Sequence, residues 1–136
     1  MVENVAPAKV YAILLANPRA RLVDVRTDAE WTYVGVPDLS KTGQDPVLIP
    51  WQLFPSGQVN DRFMDHLHAA GLSADAPVYF LCRSAVRSLA AAQLAQAHGF
   101  AQAHNIADGF EGPVNGHGHR GVVAGWKAAG LPWEQL

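Results

Sequence analysis

The residues with the clearest chemical potential lie together in the segment Val78 to Ser88, VYFLCRSAVRS. Cys82 is the one cysteine of the chain. It follows an apolar run, Val78–Leu81, that reads as a buried strand, and a helical pattern takes over near Ser88. Three effects converge on its sulfur. The open end of a parallel strand in an α/β fold is where ligands usually bind. A tight loop entering a helix has N–H groups without intrahelical acceptors. The amides of Ser84, Ala85, Val86, Arg87 and Ser88 can turn towards one centre, and the helix dipole adds positive potential there. Arg83 and Arg87 bring two permanent positive charges. All three favour thiolate, the nucleophilic form, over thiol. The same cradle suits an anionic sulfur attached to Cys82 and attracts an oxyanion donor. This reading requires the sulfur to be within reach of solvent and the loop amides to point inward. The bland alternative is a small buried hydrophobe at a strand end, with two arginines exposed on a helix start. A lone cysteine forms no intramolecular disulfide, and the sequence has no Cys-x-x-Cys pair.

The elements that must position this loop follow from short apolar runs alternating with helical patterns, which predicts an α/β domain. Residues 7–16 read as a helix with Pro7 near its start and Asn17-Pro18 at its end. Arg21–Val25 reads as a short buried strand. Thr27 followed three residues later by Glu30 forms a capping-box pattern for a brief helix. Residues 34–46 read as a loop, and Pro46–Trp51 carries a second strand. A helix over 61–70 stops at Gly71 and turns Phe63, Met64, Leu67 and Ala70 to the core. After Cys82, the spacing of Val86, Leu89, Ala90, Leu94 and Ala97 predicts the buried face of the next helix. Residues 103–107 read as a last strand, Asp108–Gly112 as a turn, and Val122–Ala129 as a final helix ended by Gly130.

With those elements in place, CRSAVRS resembles the active-site loop of rhodanese (thiosulfate sulfurtransferase) domains, which commonly show Cys-Arg-Ser-Gly-x-Arg-Ser. Cys82, Arg83, Ser84, Arg87 and Ser88 fit that pattern, and Ala85 stands at the usual glycine. LVDVRTDAEW over residues 22–31, NIADGFEGPV over 105–114 and GWKAAGLPW over 125–133 resemble other motifs of the family, so the resemblance covers nearly the whole chain. It implies a single rhodanese-like domain over 1–136, a three-layer sandwich with a central parallel sheet of about five strands flanked by helices. It also implies sulfane-sulfur transfer through a persulfide on Cys82, from a small anionic donor such as thiosulfate, or a protein sulfur donor, to a thiol or cyanide. Arg83, Ser84, Ala85, Val86, Arg87 and Ser88 would bind the substrate. Asp24 and Arg26, matching the family's Asp-x-Arg, are expected to tie loops together. No metal or organic cofactor is implied. The segment VGVPDLSKTG departs from the family's usual Gly-His-Ile-Pro-Gly-Ala type: Gly35 and Pro37 remain, and no histidine is there. Ala85 is harmless if its φ is negative and strained if it is positive.

Rival readings use the same residues differently. A phosphatase or arsenate reductase loop has five residues between Cys and Arg, whereas four separate Cys82 from Arg87, a smaller ring that suits a single sulfur atom. An arsenate reductase cycle also generally needs a second thiol. A binding module on the same fold usually loses the cysteine, which is retained here. A persulfide carrier would share the chemistry and differ in partners.

Other residues and the composition narrow the class. His117 and His119 form half a metal set at best, in what reads as a solvated Gly-rich loop. Trp31, Trp51, Trp126 and Trp133 read as core or pocket-wall residues, with Trp51 a candidate for the mouth of the site. The 136 residues are 49% hydrophobic with a net charge of −2, and the mean hydropathy is +0.02. That fits one folded domain without a basic block for nucleic acid or an apolar run of the ~20 residues that a membrane span needs. Val10–Ala16 is preceded by Glu3 and Lys9 without a basic n-region and reads as part of the first helix rather than as a leader, which makes the cytoplasm the expected compartment.

Overall fold

A computed structural model describes residues 2–136. The elements run β1 (Glu3–Val5), α1 (Pro7–Ala16), β2 (Arg21–Asp24), α2 (Asp28–Val34), β3 (Val36–Pro37), a 3₁₀ turn (Ser40–Thr42), β4 (Val47–Leu48), α3 (Phe63–Ala69), β5 (Val78–Leu81), α4 (Val86–Ala97), β6 (Ala103–Ile106) and β7 (Trp133–Glu134). Five strands form a sheet in the order β1-β6-β5-β2-β4, and every pair in it is parallel. β5, which leads into Cys82, is the central strand. Its neighbours β6 and β2 hold it in register through Tyr79↔His104 and Leu22↔Tyr79.

Alternation along the strands assigns side chains to two cores, because successive residues point to opposite faces. Val23, Val78 and Phe80 pack with Phe63 and Leu67 of α3 and Ala91, Ala92 and Ala95 of α4. Leu22, Tyr79 and Leu81 pack on the other face with Val10 and Leu14 of α1, Phe110 and Trp126. The result is a three-layer α/β sandwich with a parallel sheet at its centre. Among the described residues no helix is long and apolar enough to cross a membrane.

Several local expectations change. α4 buries Ser88, Ala91, Ala92 and Ala95, not the face of Val86, Leu89, Ala90, Leu94 and Ala97; Val86 is 75% exposed. Apolar residues occur all round this helix, so spacing alone does not choose a face, and the small alanines let the helix lie close on the sheet. Residues 122–129 form a chain of turns rather than a helix. Gly125 takes φ +100, and a Cβ there would lie 2.9 Å from the Gly109 carbonyl oxygen. The stretch is thus bent to fit under the turn after β6. The 34–46 loop contains β3, which pairs antiparallel with β7, and the edge strand β1 was not expected. Trp133, expected in the core or in a pocket wall, is 42% exposed, with Lys127 Nζ 3.9 Å from its ring centroid.

The register of α4 is open to a direct check. Ala92→Leu overpacks the sheet-facing side and should lower stability by about 1–3 kcal/mol. Ala97→Leu, on the exposed side, should change it by less than about 0.5 kcal/mol. Urea unfolding of the two variants measures both.

Candidate active site

The active loop starts where β5 ends. Phe110 N–H donates to the Cys82 carbonyl at 2.7 Å, and the amides of Glu111 and Gly112 donate to the Arg83 carbonyl at 3.0 and 3.1 Å. These bonds clamp the loop onto the DGFEG turn. The turn comes so close that a Cβ on Gly109 would sit 2.5 Å from the Arg83 and Cys82 carbonyl oxygens, which only glycine avoids.

Ala85 then reverses the chain. Its φ is +83 and ψ is −2, a left-handed conformation immediately before α4. The reversal aims the Ala85 N–H at Cys82 Sγ, 3.1 Å away. Ser88 Oγ, one helical turn on, lies 3.2 Å from the same sulfur. Val86, Arg87 and Ser88 form the first turn of α4, whose N–H groups have no intrahelical acceptors. Cys82 itself is buried, with 1% of its surface exposed. The expectation of a sulfur within reach of solvent is therefore not met, whereas that of an inward-pointing loop amide is met by Ala85.

The two arginines differ. Arg87 meets Glu30 bidentately, Nη1 to Oε1 at 2.6 Å and Nη2 to Oε2 at 2.9 Å. The side chains are 20% and 21% exposed, so this is a partly shielded pair with two parallel bonds. Burial pushes the Glu30 carboxyl up, but the hydrogen bonds and charge of Arg87 and the Thr27 amide outweigh it and hold the group below its ordinary value. The Glu30 bond raises Arg87 in turn, against desolvation, with smaller contributions from the charges of Glu30, Cys82 and Asp24. Arg83 is exposed. With Glu30, Val34, Gln52, Arg87 and Glu111 it lines a cavity of about 460 Å³. Gln52, rather than Trp51, reaches that cavity; Trp51 packs edge-on against Phe63 at 5.2 Å.

Support comes from the end of β2. Arg26 is fully buried and donates to Asp24 through its Nε at 3.0 Å and Nη2 at 2.7 Å. Nη2 also donates to the Gly35 carbonyl at 2.7 Å, and the guanidinium lies 4.3 Å from the Phe110 ring centroid. Thr27 and Glu30 form a capping box at the start of α2, which orients Glu30 towards Arg87. His117 and His119 sit in a loop where Asn115 Oδ1 accepts from both of their amides, at 2.8 and 2.9 Å. Sequence reasoning missed Asn105, 1% exposed on β6, whose Oδ1 accepts from Ser88 Oγ. A polar residue inside the buried strand AHNI is the signal that marks it.

The fold and this loop define a rhodanese-like domain. In comparisons, a family model described as STR4 middle domain matches residues 3–136, and the chain belongs to that family. The uncharacterized protein RP600 of Rickettsia prowazekii is 37% identical over 135 residues, covering 98% of each chain. The crystal structure of Rv0390 from M. tuberculosis superposes with a TM-score of 0.89 at 44% identity, covering 99% of this chain and 98% of that one. Two more distant structures share the fold. One is the polysulfide-sulfur transferase homodimer of Wolinella succinogenes, with a TM-score of 0.66, 22% identity and 99% and 80% coverage. The other is the rhodanese-like domain of the Anabaena protein Alr3790, with 0.67, 17%, and 100% and 81%.

The conformation of Ala85 carries a measurable cost. A left-handed non-glycine residue is strained by about 1–2 kcal/mol, and glycine returns about 0.5–1 kcal/mol of that as extra unfolded-state entropy. Ala85→Gly should therefore stabilise the fold by up to about 1.5 kcal/mol, read as a rise in the denaturant midpoint at unchanged slope.

Proposed function

We propose that the protein is a sulfurtransferase that carries sulfane sulfur as a persulfide on Cys82. The observation that supports this most directly is the Ala85 N–H on Cys82 Sγ at the head of α4, a helix start whose first N–H groups have no intrahelical acceptors. The family membership and the rhodanese-like fold agree with it. Because the loop closes over four residues between Cys82 and Arg87, its ring is small, which favours one sulfur atom over a tetrahedral phosphate.

The transfer runs in two displacements. The Cys82 thiolate attacks the outer sulfur of an anionic donor such as thiosulfate. A new S–S bond forms, the donor's S–S bond breaks with its electron pair, and sulfite leaves. The terminal sulfur of the persulfide then carries the negative charge, and the amides of Val86, Arg87 and Ser88 stabilise it. An acceptor, cyanide or a thiolate, attacks that terminal sulfur and restores the Cys82 thiolate. The cavity lined by Arg83 and Arg87 is the entry this reading assigns to the donor. Arg83, which is exposed, meets the incoming anion. Arg87, engaged by Glu30, contributes a fixed positive field rather than a free hand. Asp24 and Arg26 act as support for the loops. No cofactor takes part, and the partners are a small anionic sulfur donor, or a protein donor, and a thiophilic acceptor.

Thiosulfate-to-cyanide transfer and phosphate-ester hydrolysis, assayed side by side, test this reading. Wild type should form thiocyanate and release no phosphate. Cys82→Ser should lose transfer to background while keeping its unfolding midpoint. Phosphate release without thiocyanate, or an unchanged transfer rate in the serine variant, would overturn it.

A further inference from the structure

The polar groups behind the Cys82 sulfur leave one hydrogen to be shared. Ser88 Oγ lies 3.2 Å from Sγ and bonds to Asn105 Oδ1. Asn105 Nδ2 donates to the Ala85 carbonyl at 3.1 Å and to Asn4 Oδ1 at 2.9 Å. The Ala85 carbonyl can only accept, so the nitrogen of the Asn105 amide faces it and the amide oxygen faces Ser88. An amide oxygen also can only accept. The single Ser88 hydroxyl hydrogen therefore goes to Asn105, and Ser88 presents a lone pair to the sulfur. That arrangement suits a thiol, whose S–H finds an acceptor in Ser88. A thiolate needs the reverse: the hydrogen turns onto the sulfur, and Asn105 Oδ1 is left without a donor in a buried site, which is unfavourable.

We propose that Asn105 is a positioning residue that competes with the Cys82 sulfur for the Ser88 hydroxyl hydrogen and thereby sets the pH range in which Cys82 ionises. While the inner sulfur is neutral, as a thiol or as the bridging atom of a persulfide, the hydrogen stays on Asn105. When the inner sulfur is anionic, the hydrogen turns to it. The network thus favours the loaded cysteine over the free thiolate. This use of the network rests on the sulfur-transfer reading, whereas the competition for the hydrogen does not. The charges around the loop are Arg83 within it, Arg87 of α4 with Glu30 of α2, the Asp24–Arg26 pair at the end of β2, and Asp108 and Glu111 in the turn after β6. None of them is altered by the variants below.

The test follows the ultraviolet thiolate absorbance against pH in the full chain, with Cys82→Ser as blank, since Cys82 is the one thiol. Asn105→Ala frees the Ser88 hydrogen and should lower the ionisation midpoint by about one pH unit, a tenfold gain of thiolate at fixed pH. Ser88→Ala removes the thiol's acceptor and the thiolate's donor together and is the reference in which Asn105 has no hydrogen to compete for. In that background Asn105→Ala should give no downward shift, because the downward shift acts through Ser88. Asn4→Ala, on the exposed face of the edge strand, loosens Asn105 and should give a smaller downward shift, and it serves where Asn105→Ala does not fold. A midpoint that stays or rises in Asn105→Ala or Asn4→Ala overturns the proposal, as does a double variant whose midpoint falls below that of Ser88→Ala. A downward shift in Asn105→Ala in a protein that forms no persulfide would sink the transfer reading and leave this one standing.

Discussion

Between β5 and α4 the chain turns left-handed at Ala85, and the chemistry of the site depends on that turn. It points a main-chain N–H at the Cys82 sulfur and starts α4, whose first amides have no intrahelical acceptors. A right-handed residue there would carry the amide away. The strained conformation persists because it is held from two sides. The DGFEG turn grips the Cys82 and Arg83 carbonyls from below, and Asn105 takes the Ala85 carbonyl from behind. Gly109 permits the close approach that the first of these needs.

Charge around the sulfur is more balanced than a count of arginines implies. Arg87 is committed to Glu30, and Glu30 is delivered by the capping box that starts α2. The pair fixes a guanidinium beside the loop at the cost of part of its field. Asp24 and Arg26 neutralise one another in the interior, where an unpaired charge would be prohibitive. What remains to meet an anion at the surface is Arg83, together with the main-chain dipoles. The site therefore draws on oriented amides more than on net charge, in keeping with a chain whose formal charge is −2.

The sequence makes the framework of this site legible. An apolar run ending at Cys82, a capping box at Thr27 and Glu30, and Pro7 opening the first helix each carry a local physical signal, and each corresponds to an element in the fold. What escapes is what partners decide. β1, β3 and β7 are two or three residues long and exist as strands only through pairing, so no periodicity marks them. The buried face of α4 is hidden because alanines surround it. The turns of 122–129 look helical by composition until Gly125 is seen pressed against Gly109. At the site, the sign of φ at Ala85 and the link from Ser88 to Asn105 and Asn4 join residues far apart in the chain, and no spacing rule connects them.

The central claim is that Cys82 takes up a single sulfur atom. Intact-protein mass spectrometry after incubation with thiosulfate measures this directly. The account predicts a mass gain of one sulfur, localised to the Cys82 peptide and lost on adding cyanide. An unchanged mass under conditions where the folded protein is intact would contradict it.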